Sequence, residues 1–401
     1  MKISRLHATY ATVLLLNAGD GCVSTVFPAF LDEQGYAVSD IGFVVSVFAV
    51  LSFVSRMPSG LAYKPQHARQ MMYVSAGVFA ATLLLYSLAD GTVGLVVVRA
   101  ISGFSFGAAT TLNMALLMDI LPQGSNRART MAFYSAAMSG GYALGNSAGG
   151  WLADTFGYHW AFGIAATLPT LAACLTPSVP KITGLAKQQV AKAHDRASFG
   201  AKLREIRNAR ILTIAQLAFT LNALHYVLTT YLPLYALNVG LSLTSVGFLR
   251  ATHSIFGMVT RPFGGEAARF ASSDRLANGG LVLVALIIVL TPSFTSMMIL
   301  VPMFMLLGTA RGIVMVNNTV SLADGVSEDP GRRGVASGIF NAARDLGSVC
   351  GPILGGVIAA HVGIENMLRL GPTVLMAVYF AVLVATARAK RKTTAASEQQ
   401  V

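Results

Sequence analysis

Charge is what this sequence has least of. Only 11% of its 401 residues are Asp, Glu, Lys or Arg, where soluble domains carry about 25%. With 54% hydrophobic residues and a mean hydropathy of +0.62, that deficit excludes an ordinary soluble chain. A core of this size cannot hide so much apolar surface, so lipid must be the solvent for much of it. Cysteine is nearly absent as well. Cys22, Cys174 and Cys350 stand inside apolar runs at unrelated spacings, with no Cys-x-x-Cys or Cys/His cluster. That excludes a metal finger and a disulfide framework, and no metal or cofactor is expected. The phosphate-binding GxxxxGK[ST], the HExxH and the GxSxG patterns are all missing, which argues against an enzyme. Acidic residues number 17 against 29 Lys and Arg, for a net charge of +12. The basic residues lie in short pieces between apolar runs rather than on one platform, so nucleic acid is not the expected partner.

What is there is apolar sequence in runs of membrane-spanning length. Twelve runs of roughly 20 residues fall near 8–30, 41–60, 71–89, 93–118, 130–152, 158–178, 211–236, 244–263, 276–292, 297–322, 334–360 and 366–387. Strand-like alternation is absent and Leu, Ala, Gly, Val and Met dominate, so the spans are read as helices rather than a barrel. The basic residues between spans fall almost wholly on alternate connections, with Arg369 alone on the other set. By the positive-inside rule both termini are cytoplasmic. The apolar stretch after Met1-Lys-Ile-Ser-Arg5 continues past Asp20 to Phe30, so it is read as a retained first span. The polar, basic stretch 179–210 is the expected linker between an N-terminal six-helix bundle, 1–178, and a C-terminal one, 211–390. It is read either as a helix on the anionic leaflet or as a solvated connection. The tail, 391–401, is expected to be cytoplasmic and, from Thr393, without structure.

The chain repeats itself. A shift of 205 residues carries Asn17, Asp20, Pro28, Gly35, Gly42 and Phe43 onto Asn222, His225, Pro233, Gly240, Gly247 and Phe248. The same shift carries Arg56 and Gly60 onto Arg261 and Gly265. It also carries Gly103, Gly107, Asn113 and Asp119 onto Gly308, Gly312, Asn318 and Asp324. With one more residue, Gly145, Gly149, Gly150 and Gly157 meet Gly351, Gly355, Gly356 and Gly363. Two six-helix halves of the same topology, related by an axis along the membrane normal, form a transporter architecture with its site between the halves.

Several local patterns carry a family resemblance. Arg56-Met-Pro-Ser-Gly60-Leu-Ala-Tyr-Lys64, followed by Arg69, resembles the cytoplasmic loop between spans two and three of the major facilitator superfamily, with Tyr63 where the family places Asp. Arg99 with Gly103 and Gly107 resembles its fourth span. Gly141-x-x-x-Gly145-Asn146-x-x-Gly149-Gly150 is similar to the fifth-span motif of its proton-driven exporters, with Asn146 in place of proline. The second-half copy, Gly347-x-x-x-Gly351-Pro352-x-x-Gly355-Gly356, is complete. The resemblance implies that the first, fourth, seventh and tenth helices line a cavity, which would bring Asp20, Arg99, His225 and Arg311 together.

Ionisable groups within membrane spans are costly and are functional candidates by default. Asp20 sits near mid-bilayer, where a desolvated carboxylate can cycle a proton, and His225 titrates near neutral pH without help. Asp20 is read as a proton carrier or as the ionised partner of Arg99 or Arg311. His225 is read as a second carrier or a hydrogen-bonded core residue. Arg311, Arg250, Asn17, Asn222, Asn318 and Tyr226 are the candidate substrate-binding groups, and the arginine excess favours an anionic substrate. His253 is read as a core histidine, and Arg344 and Asp345 as structural or cavity-edge. Asp119 and Asp324 are expected near Arg56, Lys64 or Arg69 and near Arg261 or Arg269, as ionic latches or as topology charges. Gly145, Gly149, Gly351, Pro352 and Gly355 offer smooth faces for rocking or for static packing.

The expected function is a proton-coupled secondary transporter working by alternating access. It would export small amphipathic or anionic organic compounds, such as drugs, metabolites or metal-chelating metabolites. Uptake of a small anion or sugar by proton symport is the alternative. The partners are a small-molecule substrate, protons and the lipid bilayer of a bacterial inner membrane, and the protein is expected to act as a monomer.

Overall fold

The computed structural model describes residues 2–89, 91–120, 127–176, 209–267, 271–325 and 330–398. The expected linker 179–210 lies outside the described residues, save Ala209 and Arg210. The described residues form twelve long helices and no strand. These are α1 (Lys2–Glu33), α2 (Val38–Ala62), α3 (Ala68–Leu85), α4 (Gly91–Ile120), α5 (Arg127–Phe156) and α6 (Tyr158–Leu175). After the linker come α7 (Ala209–Asn238), α8 (Leu243–Ala267), α9 (Ser273–Leu290), α10 (Met297–Gly325), α11 (Pro330–Val362) and α12 (Ile364–Glu398). A short 3-10 turn, Thr291–Ser293, follows α9. Most helices overrun the apolar runs by a few residues because polar ends continue the same hydrogen-bonded ladder. The tail differs from expectation: α12 continues to Glu398, as its Ala, Lys and Arg are good helix formers.

Nine of these helices are long and apolar enough to cross a membrane. The other three, α5, α6 and α8, are diluted by the glycines and serines of α5, the polar start of α6 and the cations of α8. Large apolar side chains such as Met57, Leu61, Val93, Trp160 and Met298 are exposed on the outside of the bundle. Continuous apolar exteriors are rare on soluble monomers and mark contact with lipid. The interior is packed as a protein core, with Phe27, Phe79, Tyr86 and Phe162 in the first six helices and Tyr231, Phe304 and Tyr379 in the last six, all almost fully buried.

The repeat is visible in the backbone. Gly35 and Gly240 both have positive φ, 79° and 78°. Each ends its helix with the same pair of bonds: Tyr36 N to Leu31 O and Gly35 N to Asp32 O in one copy, Leu241 N to Ala236 O and Gly240 N to Leu237 O in the other. This is a glycine helix stop whose left-handed residue any side chain would strain. Gly157 and Gly363, φ 86° and 82°, turn α5 into α6 and α11 into α12.

Packing follows the same repeat. In the first six helices α1 packs on α5 and α6, α2 on α4, and α3 on α4 and α6; in the last six, α7 packs on α11 and α12, α8 on α10, and α9 on α10. The two sets meet along α5 with α8 and α2 with α11, with lesser contact of α1 with α7. At the end carrying the 34–37 and 239–242 turns these seams are backbone-close. A side chain at Gly150 would strike the Leu243 carbonyl, one at Gly247 the Asn146 carbonyl, and one at Gly42 the Pro352 carbonyl. Toward the other end, which carries the basic connections, the seams are bridged by long arginine side chains.

Candidate functional site

A cavity of about 280 Å³ lies between the two sets of helices. It is lined by α1, α2, α4, α5, α7, α8, α10 and α11. The expectation of four lining helices was too narrow: α2, α5, α8 and α11 contribute as much as α1, α4, α7 and α10, because the seams form two of its walls.

Asp20 lines this cavity from α1 and is only 6% exposed. Its hydrogen bond comes from the Tyr142 hydroxyl on α5, at 3.0 Å. It is not the bonded partner of Arg99 or Arg311. Arg99, 3% exposed, donates to the Tyr86 hydroxyl at 3.2 Å, and its guanidinium lies 4.5 Å from the Phe27 ring centre and 4.6 Å from that of Phe48. An arginine stacked on aromatic faces is stabilised there without a carboxylate. Arg311 donates instead to the Asn222 side-chain oxygen at 3.3 Å. Arg250 reaches from α8 to α1, donating to the Ser24 carbonyl at 2.7 Å and hydroxyl at 3.1 Å.

His225, the repeat mate of Asp20, lines the same cavity. Its ring stacks on His253 at 5.3 Å and meets the edge of Tyr226 at 5.4 Å. The expectation for His253 therefore changes: it is a cavity residue, one turn from Arg250 on the same face of α8. The spacing Arg250, His253, Gly257, Arg261 is one helix face and was legible as such.

Two expected binding residues lie elsewhere. Asn17 donates to Val13 O within α1 and packs against Gly141; Asn318 donates to Ile214 O on α7. Neither lines the cavity: Asn17 bonds within α1 and packs on α5, and Asn318 ties α10 to α7. The small-residue faces divide in a similar way. Gly145 and Gly149 receive Ala18 and Cys22 of α1, Gly351 receives Ala223 of α7, and Gly355 receives the Tyr231 ring. The Pro352 carbonyl accepts from the Tyr231 hydroxyl at 2.6 Å. These contacts lie within one set of six helices. The glycines at the seams are Gly42, Gly150, Gly247 and Gly356, two pairs of repeat mates. Asn146, in the proline's place, accepts from Thr25 of α1 at 3.0 Å.

The charged contacts at the basic end also correct the expectation. Arg56 crosses to Asp345 of α11, at 2.9 Å and 3.2 Å. Asp119 accepts from the Tyr63 hydroxyl at 2.7 Å, so the tyrosine in the acid's place still ties the loop to α4. Arg261 reaches the Ser135 hydroxyl of α5. Asp324 is exposed at the end of α10, and Arg69 lies at the start of α3; neither lines the cavity. At the opposite end Asp154 of α5 accepts from the Leu243 and Thr244 amides, at 3.2 Å and 2.7 Å, and from the Thr244 hydroxyl at 2.6 Å. A carboxylate thus satisfies the free amides that open α8.

Sequence reasoning missed Tyr142 and Ser24, gave Asp154 no role beyond its place in a Gly150-Trp-Leu-Ala-Asp154-x-x-Gly157 pattern, and undervalued Asp345. Tyr142 had a signal: it follows Gly141, and a residue one step from a face buried on α1 points about 100° round the helix, toward the cavity. Among the described residues no cluster of His, Cys, Asp and Glu has metal-binding geometry.

Comparison with known proteins agrees with this architecture. The profile of the Major Facilitator Superfamily matches residues 9–348. An uncharacterised transporter of this type from Methanocaldococcus jannaschii is 25% identical over 375 residues, 90% of this chain and 92% of the relative. The quinolone resistance protein NorA of Staphylococcus aureus is 22% identical, over 88% of this chain and 89% of its own. In fold, the chain resembles a bacterial homologue of the human lysosomal transporter Spinster, crystallised inward-facing and unoccupied, with a TM-score of 0.78 at 14% identity, covering 96% of this chain and 97% of that one. Twelve membrane helices in two repeated sets around a central polar cavity, with this profile over most of the chain, have one meaning: the protein belongs to the major facilitator superfamily, and is a multi-pass membrane transporter of the secondary type rather than an enzyme.

Proposed function

We propose that this protein is a proton-coupled exporter of small amphipathic or anionic organic compounds, with Asp20 as the group that carries the proton. The observation that carries this reading is the position of Asp20. It is a buried carboxylate on the cavity wall, bonded to a neutral tyrosine and not to an arginine. A carboxylate so placed can exchange a proton without breaking an ion pair. Arg99 stands behind it in its aromatic setting, a fixed positive charge in the same wall. His225 lines the cavity with Arg250 and Arg311 of the same six helices and serves the substrate side. With the basic connections cytoplasmic, as the positive-inside rule directs, the close backbone contacts at the Gly150 and Gly42 seams seal the outer end, and the cavity is approached from the cytoplasm. The two sets of helices, 1–178 and 211–390, then act as the rocking units of a monomer in a bacterial inner membrane.

Symport of a small anion is the second reading. It is favoured by Asn146 in the position where the exporter motif has proline, and by the arginines of the cavity. Flux in reconstituted vesicles separates the two. Under an imposed pH gradient, a panel of radiolabelled organic anions and cations is offered from either side. Export requires substrate to move against the proton; movement of substrate with the proton would establish uptake and remove the exporter reading.

A further inference from the structure

The cavity is not neutral, and its charge is not evenly placed. Six arginines line it, Arg56, Arg99, Arg250, Arg261, Arg311 and Arg344, against two aspartates, Asp20 and Asp345. Asp345 is taken by Arg56 and neighbours Arg344. Arg99 is held by aromatic rings. What remains is Arg250, Arg261 and Arg311, all from the last six helices. Among the described residues each bonds only to neutral oxygens: Ser24, Ser135 and Asn222. The Nε of each is buried without a hydrogen-bond partner. Arg250 is 8% exposed and His253 7%. A buried guanidinium held by neutral acceptors is an unsatisfied site, because burying a charge is favourable only when it is paired.

The first six helices also bring apolar side chains to the cavity. Val45, Phe48 and Ala49 of α2 line it with Met138 of α5. The last six helices thus supply the arginines without a carboxylate partner, and the first six supply an apolar patch beside Arg99, whose guanidinium stacks on Phe48. The volume, about 280 Å³, lies at the small end of ligand pockets, which run to about 1,000 Å³.

We propose that Arg250 and Arg311, flanked by the stacked His225 and His253, form a subsite for the acidic group of a small organic anion, whose apolar body lies against Phe48 and Val45. This rests on the transporter reading and narrows its substrate to carboxylates and phosphates. The anion replaces the neutral acceptors Ser24 and Asn222 with a full opposite charge that the planar guanidinium can hold with two parallel bonds. Since Arg250 bonds across the seam to Ser24 of α1, binding also withdraws one tie between the two sets of helices. Substrate recognition and release of that tie are then one event.

The test is equilibrium binding in nanodiscs with no gradient, read by thermal shift and calorimetry. The probes are 3-phenylpropanoate, hexanoate and phenyl phosphate, each beside its alcohol and its ammonium counterpart where one exists. The anions are expected to stabilise the protein and the counterparts not. Arg250→Gln and Arg311→Gln should each weaken anion binding roughly tenfold to a hundredfold, as for loss of a hydrogen bond to a charged group. Arg369→Gln, paired with Glu365 away from the cavity, should leave it unchanged. Variants are compared only after their size-exclusion profiles and unliganded melting match the parent. Absence of a shift with all three anions overturns the proposal, as does equal stabilisation by ammonium or alcohol, or anion binding unchanged in both arginine variants. Because no proton gradient is involved, a failure of coupling leaves this result standing. Conversely, proton-driven flux of a cation with no anion binding sinks the subsite alone.

Discussion

The two seams between the halves are repeat mates, yet they are fastened at opposite ends. The α5–α8 seam carries its carboxylate at the turn end, where Asp154 caps the start of α8. The repeat position of Asp154 in α11 is Ala360, and the start of α2, with Ala37 as its cap, has no side-chain hydrogen bond. The α2–α11 seam carries its carboxylate toward the basic end, where Asp345 holds Arg56. There the repeat position in α5 is Ser139, and Arg261, the mate of Arg56, finds only Ser135. One scaffold, copied, thus has its charges placed asymmetrically. Each seam has one carboxylate fastening, at opposite ends, so opening either end of the cavity breaks one carboxylate contact rather than two. Alternating access needs states of similar free energy, and one carboxylate tie per end keeps the difference within a few kcal/mol.

The comparison can be broken most severely by filling the seams. Gly150→Leu or Gly42→Leu drives a side chain into the Leu243 or Pro352 carbonyl. Overpacking of this kind costs about 1–3 kcal/mol or more. The expected outcome is loss of transport with the turn end held apart, read as a longer distance between spin labels at Gln34 and Asn238. Next in size is Asp154→Ala, which removes the charged cap of α8. A lost cap costs about 0.5–2 kcal/mol, so the same label pair should shift toward longer distances without loss of folding. Asp345→Asn should act at the other end and more weakly. Arg56 is 40% exposed, so water screens the pair and about 1 kcal/mol is the expected scale. Labels at the basic end should separate, and the double exchange Arg56→Asp with Asp345→Arg should restore the distance. Symmetry of effect between Asp154 and Asp345 at the same end would break the account of opposite fastenings.

The smallest effect is expected at Tyr63→Phe, which removes the hydroxyl bonded to Asp119. Burial, then the hydrogen bond to Asp119 and its charge, raise the Tyr63 hydroxyl above its ordinary range. A folded value above the unfolded one, which is about 10, means that the contact's stability is fully present below that pH and is lost only as pH rises further. The substitution should therefore cost about 0.5–1.5 kcal/mol by the same amount at pH 6 and pH 8, measured by thermal melting. A cost that varied across that range would show another group titrating in the contact.

The sequence made much of this legible, for physical reasons. Lipid as solvent forces long apolar helices, so their number followed from run lengths. The repeat paired Gly35 with Gly240, and the backbone then showed both as helix stops with positive φ. Asp20 and His225 were found because charge inside an apolar run is conspicuous. Partners were harder. Arg56 meets Asp345 across a seam, and no spacing within one helix encodes a contact between helices so far apart in the chain. Asn17 and Asn318 had the right chemistry and the wrong azimuth: on helices buried on most sides, periodicity does not distinguish a cavity from a neighbour. Ser24 and Ser135 carry no sequence signal, because they matter only as acceptors for arginines from the other half.

Proton coupling at Asp20 is tested most directly by recording proton movement in vesicles loaded with a pH-sensitive dye when a bound organic anion is added. The comparison is between the parent, Asp20→Asn and His225→Gln. Asp20→Asn should abolish substrate-driven proton movement while keeping anion binding and anion–anion exchange, and His225→Gln should keep coupling with weaker binding. Undiminished proton movement in Asp20→Asn would contradict the account.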